Sequence, residues 1–366
     1  MKPIRILSQQ LQLIGEIDDY ESLIFTRSYH DIGEFQITIN KKKQNVDKLQ
    51  KNNFIIIDND TCKAGIIKYR QISEDENGIE TVTIKGYQLK YITTQRTVVP
   101  PAGFTNDEIR GNAETVMKHY VDNHIINPFD INRKIDIVQI NPNQNRGITL
   151  EWKSRFKNLA AELTDISNIT GIGWDMFIDY ESKKILFDVL NGRDLTINQS
   201  INSPVIFSKS FDNLNNQNYI YNDTNRKNVI YVAGKGEGVD RNIEVVGSAV
   251  GLERIEEFTD ARDKETTSEL IVYGERMLKE LGSEQTLEAQ ILTYSNLEYG
   301  KDYNLGDIVT IKYDTENLIL DTRIIEVQEV YEPGGYKINV VFGNKIPTLI
   351  NKLKNALKQI QPEITK

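Results

Sequence analysis

The sequence predicts an α+β chain that is mainly β, and three observations carry that prediction. Short apolar or alternating runs separated by turn residues fill the first hundred positions. Two amphipathic helical stripes lie between residues 101 and 200, and strand-like runs return from about residue 201. A length of 366 residues leaves room for two or three domains with a sizeable core.

The first unit is expected over residues 1–100. Residues 3–7, 11–17, 21–29, 34–39 and 54–57 read as strands. Phe35, Ile37 and Ile39 alternate with Gln36 and Thr38, the period of a half-buried strand. Residues 63–72 and 79–85 flank Glu74-Asp75-Glu76-Asn77-Gly78, a hairpin turn. Many short strands with regular turns point to a closed barrel or a sandwich.

Pro100-Pro101-Ala102-Gly103 marks a domain edge, and residues 101–200 read as an α+β domain. Thr105-Asn106-Asp107-Glu108 has the form of a capping box. It leads into a helix with Ala113, Val116, Met117, Tyr120 and His124 on one stripe. Residues 135–140 read as a strand. A second helix spans about 153–170 with Gly171 closing it, and residues 173–180 and 185–190 form a hairpin.

Residues 201–345 read as a second β domain with a helix-containing insertion at about 250–300. Strands are expected at 204–209, 228–233, 242–247, 286–293, 307–313, 319–330 and 335–342. A helix is expected over about 260–281. The last segment, 346–366, is expected to be a helix opened by Pro347. Leu349, Ile350, Leu353, Ala356, Leu357 and Ile360 line one side of it.

Composition excludes several classes. A formal net charge of -9 argues against a surface that holds DNA by neutralising phosphates. No apolar run approaches the ~20 residues that span a bilayer, so no stable membrane insertion is expected. The N-terminus lacks a secretory pattern, which predicts folding in a cytoplasm. Cys62 is the single cysteine, so no intrachain disulfide forms. It reads as an incidental residue in a turn.

A search for chemistry finds none. His119 and His124 are five residues apart, about 140° on a regular helix, so they should not face a common ligand. Gly234-Lys235-Gly236-Glu237-Gly238 lies between two strands, whereas a phosphate cradle needs a following helix N-terminus. No nucleophile elbow and no His-Glu-x-x-His pattern occurs. Tyr219, Tyr221 and Tyr231 near Arg226 and Lys227 make only a locally basic patch. Trp174 reads as core. The Asp18-Asp19 and Glu253, Glu256-Glu257 clusters read as solvated faces. No catalytic, cofactor-binding or metal-ligating residue is therefore predicted, and no cofactor.

Four stretches, in order along the chain, carry a resemblance. They are Tyr20-Glu21-Ser22-Leu23-Ile24-Phe25-Thr26-Arg27 with Gly33-Glu34-Phe35; Val82-Thr83-Ile84-Lys85-Gly86-Tyr87 with Leu89 and Arg96; residues 228–263, from Asn228-Val229-Ile230-Tyr231 to Phe258-Thr259-Asp260-Ala261-Arg262-Asp263; and Tyr303-Asn304-Leu305-Gly306-Asp307-Ile308-Val309 with Arg323-Ile324-Ile325-Glu326-Val327. Together they resemble the siphophage and prophage tail proteins that form the N-terminal hub of tail-associated lysins.

The resemblance implies two tube-like β-barrel domains with intervening α/β domains, as in phage baseplate hubs. It implies a homotrimer whose barrels make a pseudo-six-fold ring at the tail tip. The expected partners are a distal tail or tail tube protein, the tape-measure protein, and a spike, fibre or receptor-binding protein. DNA would meet the chain only in passage through the lumen. Many relatives continue into hydrolase or receptor-binding modules. Because this sequence ends at Lys366, lytic or spike activity is expected to belong to another protein. The competing readings are a peptidoglycan hydrolase acting through a carboxylate pair and a host-receptor-binding module.

Overall fold

The computed structural model describes residues 1–343 apart from residues 263, 265 and 317. The helix expected at 346–366 lies outside the described residues. The chain divides into two compact units. One holds residues 1–218 and 288–342; the other holds residues 219–287 and Gly343.

The first unit opens with β1 (Ile4–Leu7), β2 (Leu13–Ile17), β3 (Ser22–Ser28), β4 (Glu34–Asn40), β5 (Phe54–Ile57), β6 (Asp60–Glu74) and β7 (Glu80–Gln88). These are the strands the alternation predicts. Ile4, Leu23, Phe25, Ile37, Ile39, Ile55, Ile57 and Ile84 turn inward to one core. Each such buried side chain is worth about 1.5–3 kcal/mol. Cys62 lies within β6 rather than in a turn, half-buried, and burial pushes its thiol up to about 11.

The middle region contains β8 (Asp107–Asn112), α1 (Ala113–Val121), β9 (Val138–Ile140), β10 (Thr149–Ser154), α2 (Leu159–Thr170), β11 (Gly173–Asp179) and β12 (Lys184–Leu190). The capping box expected at Thr105–Glu108 does not form. Asp107 to Asn112 instead pair with Ser154 to Thr149 as an antiparallel ladder. Helix α1 starts later, where the Asn112 side chain accepts from Thr115 N. The second helix also starts later than expected. Residues 153–154 finish β10, and Asn158 caps α2 by accepting from Ala160 N and Ala161 N. Gly171 closes α2 at φ 73, as expected.

The remaining strands are β13 (Asp194–Leu195), β14 (Ile206–Ser208), β15 (Leu214–Asn222), β16 (Val229–Ala233), β17 (Ile243–Val246) and β18 (Glu256–Asp260). Helix α3 (Thr267–Glu280) separates them from β19 (Glu284–Ile291), β20 (Ile308–Tyr313), β21 (Leu318–Glu332) and β22 (Gly335–Gly343). Helix α3 carries a capping box between Thr266 and Glu269, so it begins after the expected residue 260, which ends β18. In the second unit, β16 pairs antiparallel with β17 and parallel with β18. Leu270, Tyr273, Met277 and Leu278 of α3 cover Ile230, Val232 and Val246 on one face of that sheet.

A 14-stranded, mostly antiparallel sheet dominates the fold. Its main order is β15-β19-β22-β21-β3-β4-β7-β6-β5-β1-β2, with β13, β14 and β20 branching from it. Strand β21 is the shared member. Its first half, Leu318 to Arg323, pairs with β20, whereas Glu326 to Tyr331 pair with β3. The register of β21 against β22 shifts between Ile324 and Glu326. A bulge of this kind bends a strand, here at the point where β21 passes from one set of strands to the other.

Candidate functional site

Tyr29, just after β3, is a tightly constrained point of the first unit. It is fully buried. Its N–H donates to Ile325 O at the β21 bulge, 2.9 Å, and its hydroxyl donates to Leu190 O at the end of β12, 2.8 Å. A Cβ on Gly173 would stand 2.4 Å from the Tyr29 ring, and a Cβ on Gly306 would stand 2.2 Å from it. The Arg323 guanidinium lies 5.0 Å from the ring centroid and donates to Gly306 O at 2.5 Å. One ring thus meets the N-terminal strands, the middle region and the C-terminal strands.

Ionic contacts reinforce the same junction. Arg27 Nη2 of β3 donates to Asp175 Oδ2 of β11 at 2.9 Å, and both groups are buried. Burial opposes the Arg27 charge, but Tyr299 and Asp175 outweigh it and hold the guanidinium firmly protonated. Lys90 is wholly buried. Its ammonium donates to Ser28 O at 2.7 Å, Tyr29 O at 3.2 Å and Asp31 O at 3.0 Å. It also lies 4.5 Å from the Trp174 ring centroid. Burial lowers its pKa to about 8. Trp174 is core, as the sequence indicates, and its indole N–H donates to His30 O. Asp307 is buried too, accepting from Arg193 Nη2 at 2.6 Å and from Asn304 N at 2.8 Å.

The two histidines of the middle region do meet, contrary to the regular-helix argument. Helix α1 runs into a π-helical turn, Asp122–Ile126. A wider turn brings residues five apart toward one face. His119 Nε2 lies 2.7 Å from Asp107 Oδ1, and His124 Nε2 lies 3.0 Å from Asp107 Oδ2. The His124 contact is close but poorly aligned for a hydrogen bond. Burial works against the Asp107 charge, yet the two imidazoles hold its carboxyl well below the ordinary range. This is a bridged carboxylate. Among the described residues no group of three or more His, Cys, Asp or Glu side chains is placed to hold a metal.

The other motifs stay apart from these clusters. The glycine-rich run at 234–238 connects β16 to β17, a strand–loop–strand arrangement. Tyr231 bonds Glu256 and Arg254, and Tyr221 bonds Asp223, so these rings lie among acids as well as bases. Nothing in the sequence announces Tyr29, Lys90 or Asp175 as partners. The usable signals are Gly306 beside Asp307 and the polar Lys90 inside an apolar run.

Residues 3–344 match the Siphovirus ReqiPepy6 Gp37-like protein family. The chain belongs to that family. No curated protein matches it. Among solved structures, the 43 kDa tail protein of prophage MuSo2 from Shewanella oneidensis is similar over 93% of this chain and 98% of that one, at 12% identity and TM-score 0.61. The tail protein from Neisseria meningitidis MC58 is similar over 93% and 96%, at 12% identity and TM-score 0.60. Prophage tail protein gp18 from Listeria monocytogenes EGD-e is similar over 99% and 100%, at 13% identity and TM-score 0.53. At these identities the likeness is one of fold.

Proposed function

We propose that this protein is a structural hub of a phage or phage-derived tail tip or baseplate. Three copies form a pseudo-six-fold ring that joins the tail tube to the spike, fibre or receptor-binding apparatus. The ring encloses the channel for DNA and the tape-measure protein. The distal tail or tail tube protein sits on one side of it.

The observation that carries this reading is strand β21. It serves two sets of strands in one chain, with β20 along its first half and β3 along its second. A subunit offering two β lobes in fixed relation supplies six tube-like elements from three copies. The rigid junction at Tyr29, Arg27 and Lys90 supports the reading, because a ring closes only if each copy holds its angle. Net charge of -9 suits a wall past which a polyanion slides. The buried charges of Arg27, Lys90 and Asp307 are each held by structural partners, which favours assembly over catalysis.

Gold-labelled antibody against the chain tests the location on intact particles. Label at the tail end distal to the head supports the reading, and label along the whole tail or on the head contradicts it. A zymogram on host cell wall separates the hub from a hydrolase: clearing abolished by one carboxylate substitution would overturn the proposal.

A further inference from the structure

A cavity of about 380 Å³ lies in the first unit beside strands β5 and β6. Its inner wall is apolar: Phe54 of β5 and Ile66 of β6 line it, and both are buried. Its remaining lining is polar. Gln9 and Gln95 are exposed there, and Asn52 and Lys68 are half-buried.

The backbone is arranged to bring a cation to this space. Strand β6 pairs with β7 as Ile67 to Gly86 and then as Tyr69 to Lys85, so Lys68 is the extra residue of a bulge. A bulge re-aims a side chain, and bulges are over-represented beside functional sites. The other edge of β6 holds the bulge in place. Asn52 N donates to Ile67 O at 2.8 Å, and Ile67 N donates to Asn53 O at 2.9 Å. Asn52 sits at φ 70, in the left-handed region that Asn tolerates. Lys68 Nζ donates to Asn52 Oδ1 at 2.8 Å and stands 4.9 Å from the centroid of the Tyr91 ring. Stacking on Tyr87, with centroids 4.9 Å apart, fixes that ring.

Neither contact neutralises the ammonium. Among the described residues no carboxylate makes an ion pair with Lys68 or with its exposed neighbour Lys51. Burial first, and then Lys51, lower the Lys68 pKa below its ordinary value, and no carboxylate raises it. The chain carries a net charge of -9, and other lysines of the same strands and turns do find acids. Lys41 reaches Glu80, Lys43 reaches Asp19 and Lys63 reaches Glu329. Two adjacent lysines without a counter-charge, at the lip of a cavity, repel each other. An anion from outside relieves that repulsion and supplies the missing charge.

We propose that this cavity binds the carboxylate or phosphate group of a small ligand whose apolar part packs against Phe54 and Ile66. Lys68 donates to the anion, and Lys51 attracts it from the surface. The side-chain amides of Gln9 and Gln95 supply further donors. The volume lies at the lower end of the roughly 300–1,000 Å³ typical of small-ligand sites. An apolar wall with a few convergent polar groups is the composition of such sites. The site stands whether or not the protein is a hub.

The test is isothermal titration calorimetry on the full chain at low salt, with phenyl phosphate, benzoate and the neutral analogue benzyl alcohol as probes. Circular dichroism confirms the fold of each variant. At least one of the two anions is expected to bind saturably, and the tighter of them assigns the group. Benzyl alcohol is expected to bind about tenfold more weakly or worse. Lys68→Met is expected to weaken the anion by about tenfold or more, and Lys51→Met severalfold. Lys337→Met on β22 removes the same charge away from the cavity and is expected to leave binding as in the parent. If Lys68→Met does not fold, the comparison of Lys51→Met with Lys337→Met decides. The proposal falls if neither anion binds below about 10 mM, or if benzyl alcohol binds as well as the anions. It also falls if Lys68→Met and Lys51→Met bind like the parent, or if Lys337→Met weakens binding as much as they do.

Discussion

The ring of Tyr29 occupies the space a side chain on Gly306 would need: a Cβ there falls 2.2 Å from the ring, and Gly306 sits at φ 93. Both the contact and the backbone angle exclude an L side chain. Gly306→Ala is expected to destabilise the protein by roughly 3 kcal/mol or more, from overpacking plus strain. Tyr29→Phe removes only the hydroxyl that bonds Leu190 O and is expected to cost about 1 kcal/mol. Urea denaturation of both variants checks the order. A Gly306→Ala protein as stable as the parent contradicts the account of the junction.

Lys90→Met tests the buried ammonium. Three backbone carbonyls lose the ammonium as a donor, and Tyr29 O keeps only Trp174 N, so a loss of about 2–4 kcal/mol at pH 7 is expected. The pH dependence has a definite sign. Burial lowers the folded pKa to about 8 from 10.5, so between those values the unfolded chain holds a proton that the folded one has released. This group therefore makes stability rise with pH across pH 8 to 10.5. The Met variant should lose that slope, which denaturation at pH 8 and pH 10 measures.

Asp107→Asn probes the bridged pair. The Asp107 carboxyl is held below the ordinary carboxylate range. Its contribution is thus fully present above about pH 4 and lost as pH falls through the folded value. The Asn variant should be less stable than the parent at pH 6 by about 2 kcal/mol, as a buried charged partner is removed from two imidazoles. The difference should shrink on acidification. A constant difference down to pH 2 would show that the imidazoles do not hold the carboxylate.

Glu326 offers the opposite case. Burial first, then Glu34, Glu288 and Asp31, push its carboxyl up to about 7. The folded chain keeps a proton between pH 4.5 and 7 that the unfolded chain has lost, so stability falls as pH rises through that window. Glu326→Gln should be more stable than the parent by roughly 1 kcal/mol at pH 8 and no different at pH 4. Equal stability at both values rules out the buried charge.

The β framework was readable because its determinants are local. Phe35, Ile37 and Ile39 alternate, and all three are buried on β4. Gly171 follows a helical stripe and caps α2. What periodicity cannot encode is long-range. Asp107 has cap-like neighbours, yet pairing with β10 draws it into a strand. The His119–His124 spacing misleads because a π-helical turn alters the residues per turn. Strand β15 is missed since Asn215, Asn216, Gln217 and Asn218 show no apolar alternation. The junction at Tyr29 joins residues more than 270 positions apart, from Tyr29 to Gly306, and no local pattern reports it.

The most direct measurement is the mass and symmetry of the purified full chain, by light scattering with negative-stain class averages. The account predicts three times the chain mass of 42.0 kDa and ring views with an open centre. A particle of one chain mass at all concentrations, without threefold views, would contradict it.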